Sequence, residues 1–193
     1  NSGSVFFNKD AKNTKELLYT QANMMLGYHP MRQQQRLFYE RQTNNIDQLF
    51  VVLCGQETYA FTVCRSLEEN SKDNEVTMWS LVSLATTNVD SNSMLTFKPP
   101  LKTIINLTAN VDGDWLCLAG KDFQMRDVII VYQLGELLKG KHELCARQLL
   151  DFDNYTAVFH AVVPNQIVAA GRETIKLFKI KNGCLPGQSV ALN

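Results

Sequence analysis

The chain has 193 residues, with 19 lysines and arginines balanced by 19 aspartates and glutamates, and 45% of its residues are apolar. That composition excludes a disordered chain and removes the general electrostatic pull that carries proteins to nucleic acid or anionic membrane. No apolar run reaches the roughly 18 to 20 residues that cross a bilayer as a helix, so the reading is a soluble domain able to bury a continuous core.

The opening stretch, NSGSVFFNKDAKNTKE, lacks a basic region followed by an apolar one and begins with Asn rather than Met. It therefore does not read as a secretory signal, and we expect a segment of a longer chain. Residues 1–24 read as a lead-in. The longest stretch of 3.6-residue periodicity, 15–25, predicts a helix there.

Beyond residue 25, short runs rich in Val, Ile, Phe, Tyr and Thr alternate with Gly, Asn, Asp and Pro clusters, which predicts an all-β chain of many strands and tight turns. A first unit, 25–98, holds strands at 31–42, 48–55, 59–63 and 76–84, with polar loops at 66–74 and 86–93. A second, 101–150, runs LKTIINLTANV, a DGD turn, WLCLAG, the loop KDFQMRD, VIIVYQL, one helical turn at 134–138, and a fourth strand near ELCARQLL. A third, 155–193, runs YTAVFHAVV, a PNQ turn, IVAAG, the loop RET and IKLFKI, leaving 190–193 to begin a fourth strand. In each unit an apolar strand closes on a glycine (Gly55, Gly120, Gly171) before a short polar loop, and the expected reason is the positive φ that such turns demand. Near-continuous apolar strands fit sheets covered on both faces.

The order of strands, the glycine and the turn residues resemble blades of a WD-repeat β-propeller. Asp112-Gly113 stands where that family carries its Pro-Asp-Gly turn, Asp122 in the turn after the glycine, and Val131-Tyr132-Gln133 where Val-Trp-Asp closes the third strand. Leu177-Phe178-Lys179 and Phe61-Thr62-Val63 occupy that place in the other two units, so the aromatic persists and the signature Asp does not. The segments MLGYHPMRQQQRLFYERQTNNIDQLFVVLCGQETYAFTV and IVAAGRETIKLFKIKNGCLPG are further similar to the EMAP-like and related centriolar and ciliary WD-repeat proteins. The resemblance implies a partial propeller of about three four-stranded blades. It also implies a non-catalytic scaffold with protein partners, tubulin or other axonemal or centriolar proteins, in the cytoskeleton of a cilium, axoneme or centriole. About three blades do not close a ring, since closed propellers carry roughly 4 to 8, so completion within a larger chain or by a partner is expected. A non-propeller sandwich stays open as an alternative.

Sharper chemical readings fare less well. The pair Asp151 and Asp153 in LLDFDNYT resembles the D-x-D motif of haloacid-dehalogenase-like phosphotransferases, yet Glu173 is the sole later acid, and a turn is the simpler reading. His29, His142 and His160 lie far apart without ligand spacing, so neither a metal nor another cofactor is expected. The five cysteines include no C-x-x-C and read as reduced, mostly buried thiols. The sequons Asn106-Leu107-Thr108 and Asn154-Tyr155-Thr156 would matter in an extracellular receptor propeller, a further alternative. An enzyme or ligand-binding propeller with a site at the ring centre is another.

Two groups remain as candidate partner-binding residues. One is the loop after Gly120, with Lys121, Asp122 and Arg126, expected to project. The other is the basic C-terminal stretch, where Arg172, Lys176, Lys179 and Lys181 face the single acid Glu173 and would suit an acidic surface such as tubulin's.

Overall fold

The computed structural model describes residues 6–7, 16–39, 45–54, 57–65, 74–80 and 93–191. Its strands form four sheets of four, each following chain order from one edge to the other. The chain divides into two compact units, 1–52 with 56–99 and 53–55 with 100–193.

In the first unit, β1 (Phe6–Phe7), β2 (Leu17–Gln21), β3 (Met24–His29) and β4 (Gln34–Tyr39) make the first sheet. The helix expected over 15–25 is a hairpin instead. Gln21 pairs with Met24 across a two-residue turn in which Ala22 takes φ +53°. An isolated helix of that length is marginal in water, whereas the hairpin gains a ladder and sends Leu18 and Met25 into a core. The second sheet contains β5 (Ile46–Cys54), β6 (Glu57–Arg65), β7 (Asn74–Ser80) and β8 (Ser93–Phe97). Leu18 and Met25 of the first sheet pack with Ile46, Leu49, Ala60, Cys64 and Trp79 of the second. The indole Nε1 of buried Trp79 donates to Thr62 Oγ1 at 2.9 Å, so the ring's polar atom is satisfied inside the core.

Two expectations are corrected here. Among the described residues there are four sheets rather than about three, and β4, within the stretch 31–42 predicted as the first strand of a single unit, pairs with β3, not with 48–54. The lead-in supplies β1 and β2. The polar loops 66–74 and 86–93 and the strand end 81–84 lie outside the described residues, except Asn74, which opens β7, and Ser93, which opens β8; Gly55 lies outside them too.

The second unit follows the predicted order. β9 (Thr103–Ala109), β10 (Trp115–Lys121), β11 (Asp127–Gln133), the single-turn helix α1 (Leu134–Leu138) and β12 (Ala146–Leu149) build the third sheet. In the β9–β10 turn Gly113 adopts φ +77° and Asn110 Oδ1 accepts the Trp115 N–H at 2.8 Å, so the anticipated DGD turn forms. β13 (Asn154–Phe159), β14 (Gln166–Gly171), β15 (Ile175–Lys179) and β16 (Gly187–Val190) build the fourth. The fourth strand therefore begins three residues earlier than expected. It can do so because Gly187 sits opposite Phe178, whose ring fills the place of a side chain: a Cβ there would lie 2.5 Å from Phe178 Cε1.

The third sheet is buried on both faces. Cys117, Ala119, Ile129 and Val131 point one way, toward Ala157, Phe159, Ile167, Ala169 and Phe178 of the fourth sheet. Leu107, Leu116, Leu118, Ile130 and Tyr132 point the other way and are also buried. This is the continuous apolar pattern of β10 and β11 explained in space.

The role of the closing glycines also differs from the expectation. Gly120 and Gly171 do not take positive φ. The preceding strand bulges at each and lays a carbonyl over the glycine: a Cβ would stand 1.9 Å from Thr103 O at Gly120 and 2.4 Å from Asp153 O at Gly171. Close backbone approach, not turn geometry, selects glycine at these two places.

Candidate functional site

The β10–β11 turn is built around Asp122. Its Oδ1 accepts the backbone N–H of Gln124 at 2.9 Å and of Arg126 at 3.0 Å. Its Oδ2 accepts Arg126 Nε at 2.9 Å, Arg126 Nη2 at 2.7 Å and, from β12, Arg147 Nη2 at 3.1 Å. The Asp122 side chain is only 5% exposed, and the hydrogen bonds from Arg126 hold its carboxyl below the usual carboxylate range. Beside it Lys121 Nζ bonds Asp127 Oδ2 at 2.6 Å, which raises the lysine, and Asp127 Oδ1 accepts the Asn154 N–H at 3.3 Å.

Lys121, Asp122 and Arg126 are therefore brought together, but as a scaffold for the turn rather than as free charges. What projects is apolar: Phe123 is 45% exposed, and Met125, held at φ +63°, is 51% exposed. The spacing of Asp122 and Arg126 hinted at their pairing. Arg147 carried no such hint, because it reaches Asp122 through the β11–β12 register.

The basic C-terminal stretch does not assemble as one patch. Lys176 Nζ sits 2.7 Å from both oxygens of Asp151 and 5.7 Å from the centre of the Phe152 ring, and this pairing lowers the Asp151 carboxyl. That contact also places the DFD segment as a bend between the third and fourth sheets. Arg172 is exposed in the β14–β15 turn, whereas Lys179 and Lys181 are exposed at the opposite end of β15. Lys181 closes a tight turn through paired backbone hydrogen bonds with Cys184 and lines an open depression of about 330 Å³ with Gln148, Asn182, Leu185 and Pro186.

Other candidates resolve into structural roles. His160 Nδ1 accepts the N–H groups of Val162 and Val163, and His29 Nδ1 accepts that of Arg32, so both rings cap turns. Burial pushes the Cys64 and Cys117 thiols up to about 12, which leaves them poor nucleophiles. Asn154 is 4% exposed, and Asn106 Nδ2 donates to Ala157 O at 2.9 Å and Thr156 Oγ1 at 3.2 Å. A glycan at either sequon would have to break into packed sheet. Among the described residues no three His, Cys, Asp or Glu side chains gather as a metal site, and no helix is long and apolar enough to cross a membrane.

The Asp122 cluster makes a pH-dependent contribution. A depressed native carboxyl stabilises the fold above the unfolded-state value and loses that contribution as pH falls through the native one. Asp122→Asn is expected to lower the thermal midpoint at pH 7. The deficit should then shrink toward zero as the pH falls below the ordinary carboxylate range and through the depressed native value. A deficit of constant size across that titration, followed by circular dichroism, would show that the charge of Asp122 is not what the turn uses.

No protein-family model matches the chain, and none of the curated protein sequences matches it.

Proposed function

We propose that the chain is a non-catalytic scaffold in which each four-stranded meander is one blade of a divergent WD-repeat-type propeller, and that it binds other proteins in a ciliary, axonemal or centriolar microtubule assembly. The observation that carries the first half is the repetition inside the second unit. The third and fourth sheets share the strand order, a glycine under a bulged neighbour at Gly120 and Gly171, and an aromatic near the end of the third strand at Tyr132 and Phe178. Radially repeated four-stranded meanders that bury each other's faces are how propellers manage their edges. The second half rests on the family resemblance of the quoted segments, and fold likeness alone does not assign a function.

Arg172, Lys179 and Lys181 are the exposed cations of the basic stretch, and acidic tubulin surfaces are the natural counterpart. The engagement of Asn106 and the burial of Asn154 weigh against the glycosylated receptor alternative.

Co-sedimentation with microtubules tests the reading. Binding is expected at low salt and should weaken as ionic strength rises, since the Debye length falls from about 10 Å at 0.1 M to about 3 Å at 1 M. Reversing Arg172, Lys179 and Lys181 to Glu together is expected to weaken binding about 10-fold or more, because exposed pairs contribute roughly 0.5 kcal/mol each. If the chain fails to pellet with microtubules even at low salt, the microtubule assignment is lost while the blade architecture is untouched.

A further inference from the structure

The turn beyond β15 is a two-residue loop. Lys181 and Cys184 pair across it through two backbone hydrogen bonds of 3.0 Å, and between them Asn182 takes φ +49° and Gly183 φ +79°. Two consecutive positive φ values mark a type I′ turn, for which Asn-Gly is a preferred sequence. The same dipeptide carries a chemical liability. Asn182 is followed by glycine, and no other asparagine of the sequence is. A residue after asparagine normally screens its own backbone nitrogen with a side chain. Glycine has none, so the Gly183 nitrogen can approach the Asn182 side-chain amide.

The fold leaves that approach open. Both residues are exposed, so water and hydroxide reach them. Among the described residues nothing hydrogen-bonds the Asn182 side chain or the Gly183 N–H. The Lys181–Cys184 pairing is an isolated bridge beyond the β15–β16 ladder. Below it, Lys179 N–H to Pro186 O at 3.1 Å and Ile180 N–H to Asn165 O at 2.8 Å anchor the chain separately. Turning Asn182 into the geometry of attack therefore requires two hydrogen bonds to open locally, not the sheet to unfold. Asp112-Gly113 shows the contrast. Gly113 is also at positive φ, but its N–H donates to Asn110 O at 3.0 Å, and Asn110 is fully buried and accepts the Trp115 N–H through Oδ1. There the attacking nitrogen is engaged and its partner is anchored.

We infer that Asn182 is a site of spontaneous modification, at which the chain deamidates to aspartate and isoaspartate. The Gly183 nitrogen, losing its proton to hydroxide, bonds Asn182 Cγ. The bond from Cγ to the amide nitrogen breaks, and ammonia leaves with a proton taken from water, giving a cyclic succinimide. Water then adds to one of the two imide carbonyls. Breaking the ring nitrogen's bond to Cγ leaves aspartate; breaking its bond to the backbone carbonyl carbon leaves isoaspartate, with the main chain running through Cβ and Cγ. Either product places a carboxylate next to Lys181 in the basic stretch. Isoaspartate also inserts a methylene into the main chain, which a two-residue turn cannot absorb, so the Lys181–Cys184 bridge is lost. It is also a substrate for enzymes that methylate isoaspartyl carboxyls. This inference is independent of whether the chain binds microtubules.

Ageing the folded chain at neutral pH and cleaving it after Glu173 tests the inference. Mass spectrometry of peptide 174–193 should show an amide-to-acid exchange at residue 182. An isoaspartyl methyltransferase with labelled S-adenosylmethionine should label the same peptide. Asn182→Gln, whose longer side chain closes a ring far less readily, should abolish both signals. The reaction in the folded chain is expected to run about 10-fold below its rate in the urea-unfolded chain, because two hydrogen bonds must open first. Suppression by roughly 1,000-fold or more, the scale of global unfolding, overturns the inference. So does isoaspartate at Asp112 that forms with as little protection by the fold as at residue 182, since the unengaged Gly183 nitrogen would then decide nothing. Hydrogen exchange reads the consequence for the turn. The Lys181 and Cys184 amides should lose protection in the isoaspartyl chain and keep it in Asn182→Asp, which adds the carboxylate without lengthening the main chain. Protection retained in the isoaspartyl chain overturns the predicted loss of the bridge.

Discussion

Replacing Gly120 with alanine is expected to destabilise the second unit by roughly 3 to 5 kcal/mol, a large share of the 5 to 15 kcal/mol that holds a typical domain folded. The new Cβ would stand 1.9 Å from Thr103 O, 3.0 Å from the Thr103 carbonyl carbon and 3.2 Å from Ile104 Cα. All three are backbone atoms, so no side chain can swing away. Relief requires pulling β9 off β10 at the bulge, which costs ladder hydrogen bonds and uncovers the buried face around Leu118 and Val128. Gly171→Ala should behave alike, with contacts of 2.4 Å to Asp153 O and 2.7 Å to the Phe152 ring, though the ring can yield in part. Gly135 is the control. It lies in α1 with nothing within 4 Å of a Cβ, so alanine there should be neutral or stabilise by up to about 1 kcal/mol. Urea unfolding of the three variants decides the matter: similar midpoints for Gly120→Ala and Gly135→Ala would refute the close-approach account.

Phe178→Ala is expected to cost about 3 to 5 kcal/mol. The ring is 3% exposed and belongs to the cluster that joins the third and fourth sheets, alongside Phe159, Ile167 and Leu185. Its loss leaves a cavity that the surrounding strands cannot easily close, because β15 is held between β14 and β16. A local consequence distinguishes this from a generic core defect. The ring also covers Gly187, so β16, whose four residues are all exposed, loses that apolar contact. Hydrogen exchange should show the amides of β16 losing protection well before those of β10 and β11, which are buried on both faces. Equal loss of protection across both sheets would indicate that β16 does not depend on Phe178.

The β character and the third and fourth meanders were legible because their signals are local. Alternating or continuous apolar runs, Asp112-Gly113, and a glycine before each polar loop all act within a few residues. The first sheet was hidden by the same locality. Residues 15–25 satisfy a helical period, and partners distant in sequence, β1 and β4 beside the hairpin and the core residues around Leu18 and Met25, make the hairpin around Ala22 the better solution. The candidate charges were legible as residues but not as a surface. Lys121, Asp122, Arg126 and Lys176 are drawn into internal pairs with Asp127, Arg147 and Asp151, and a charge that is already paired is a poor lure for a partner.

What the amino-acid sequence by itself determined was the all-β class, the strand order of the second unit and the glycines at 120 and 171. Tertiary structure alone decided the number of sheets, the reason for those glycines, and which side chains are left facing solvent. The division has a physical cause: strand propensity and turn chemistry are properties of a few neighbouring residues, while pairing, carbonyl approach and burial depend on segments brought together from far along the chain. Asn106 shows the difference in one residue. In sequence it is the first residue of a sequon; in the fold its amide bridges two sheets through Ala157.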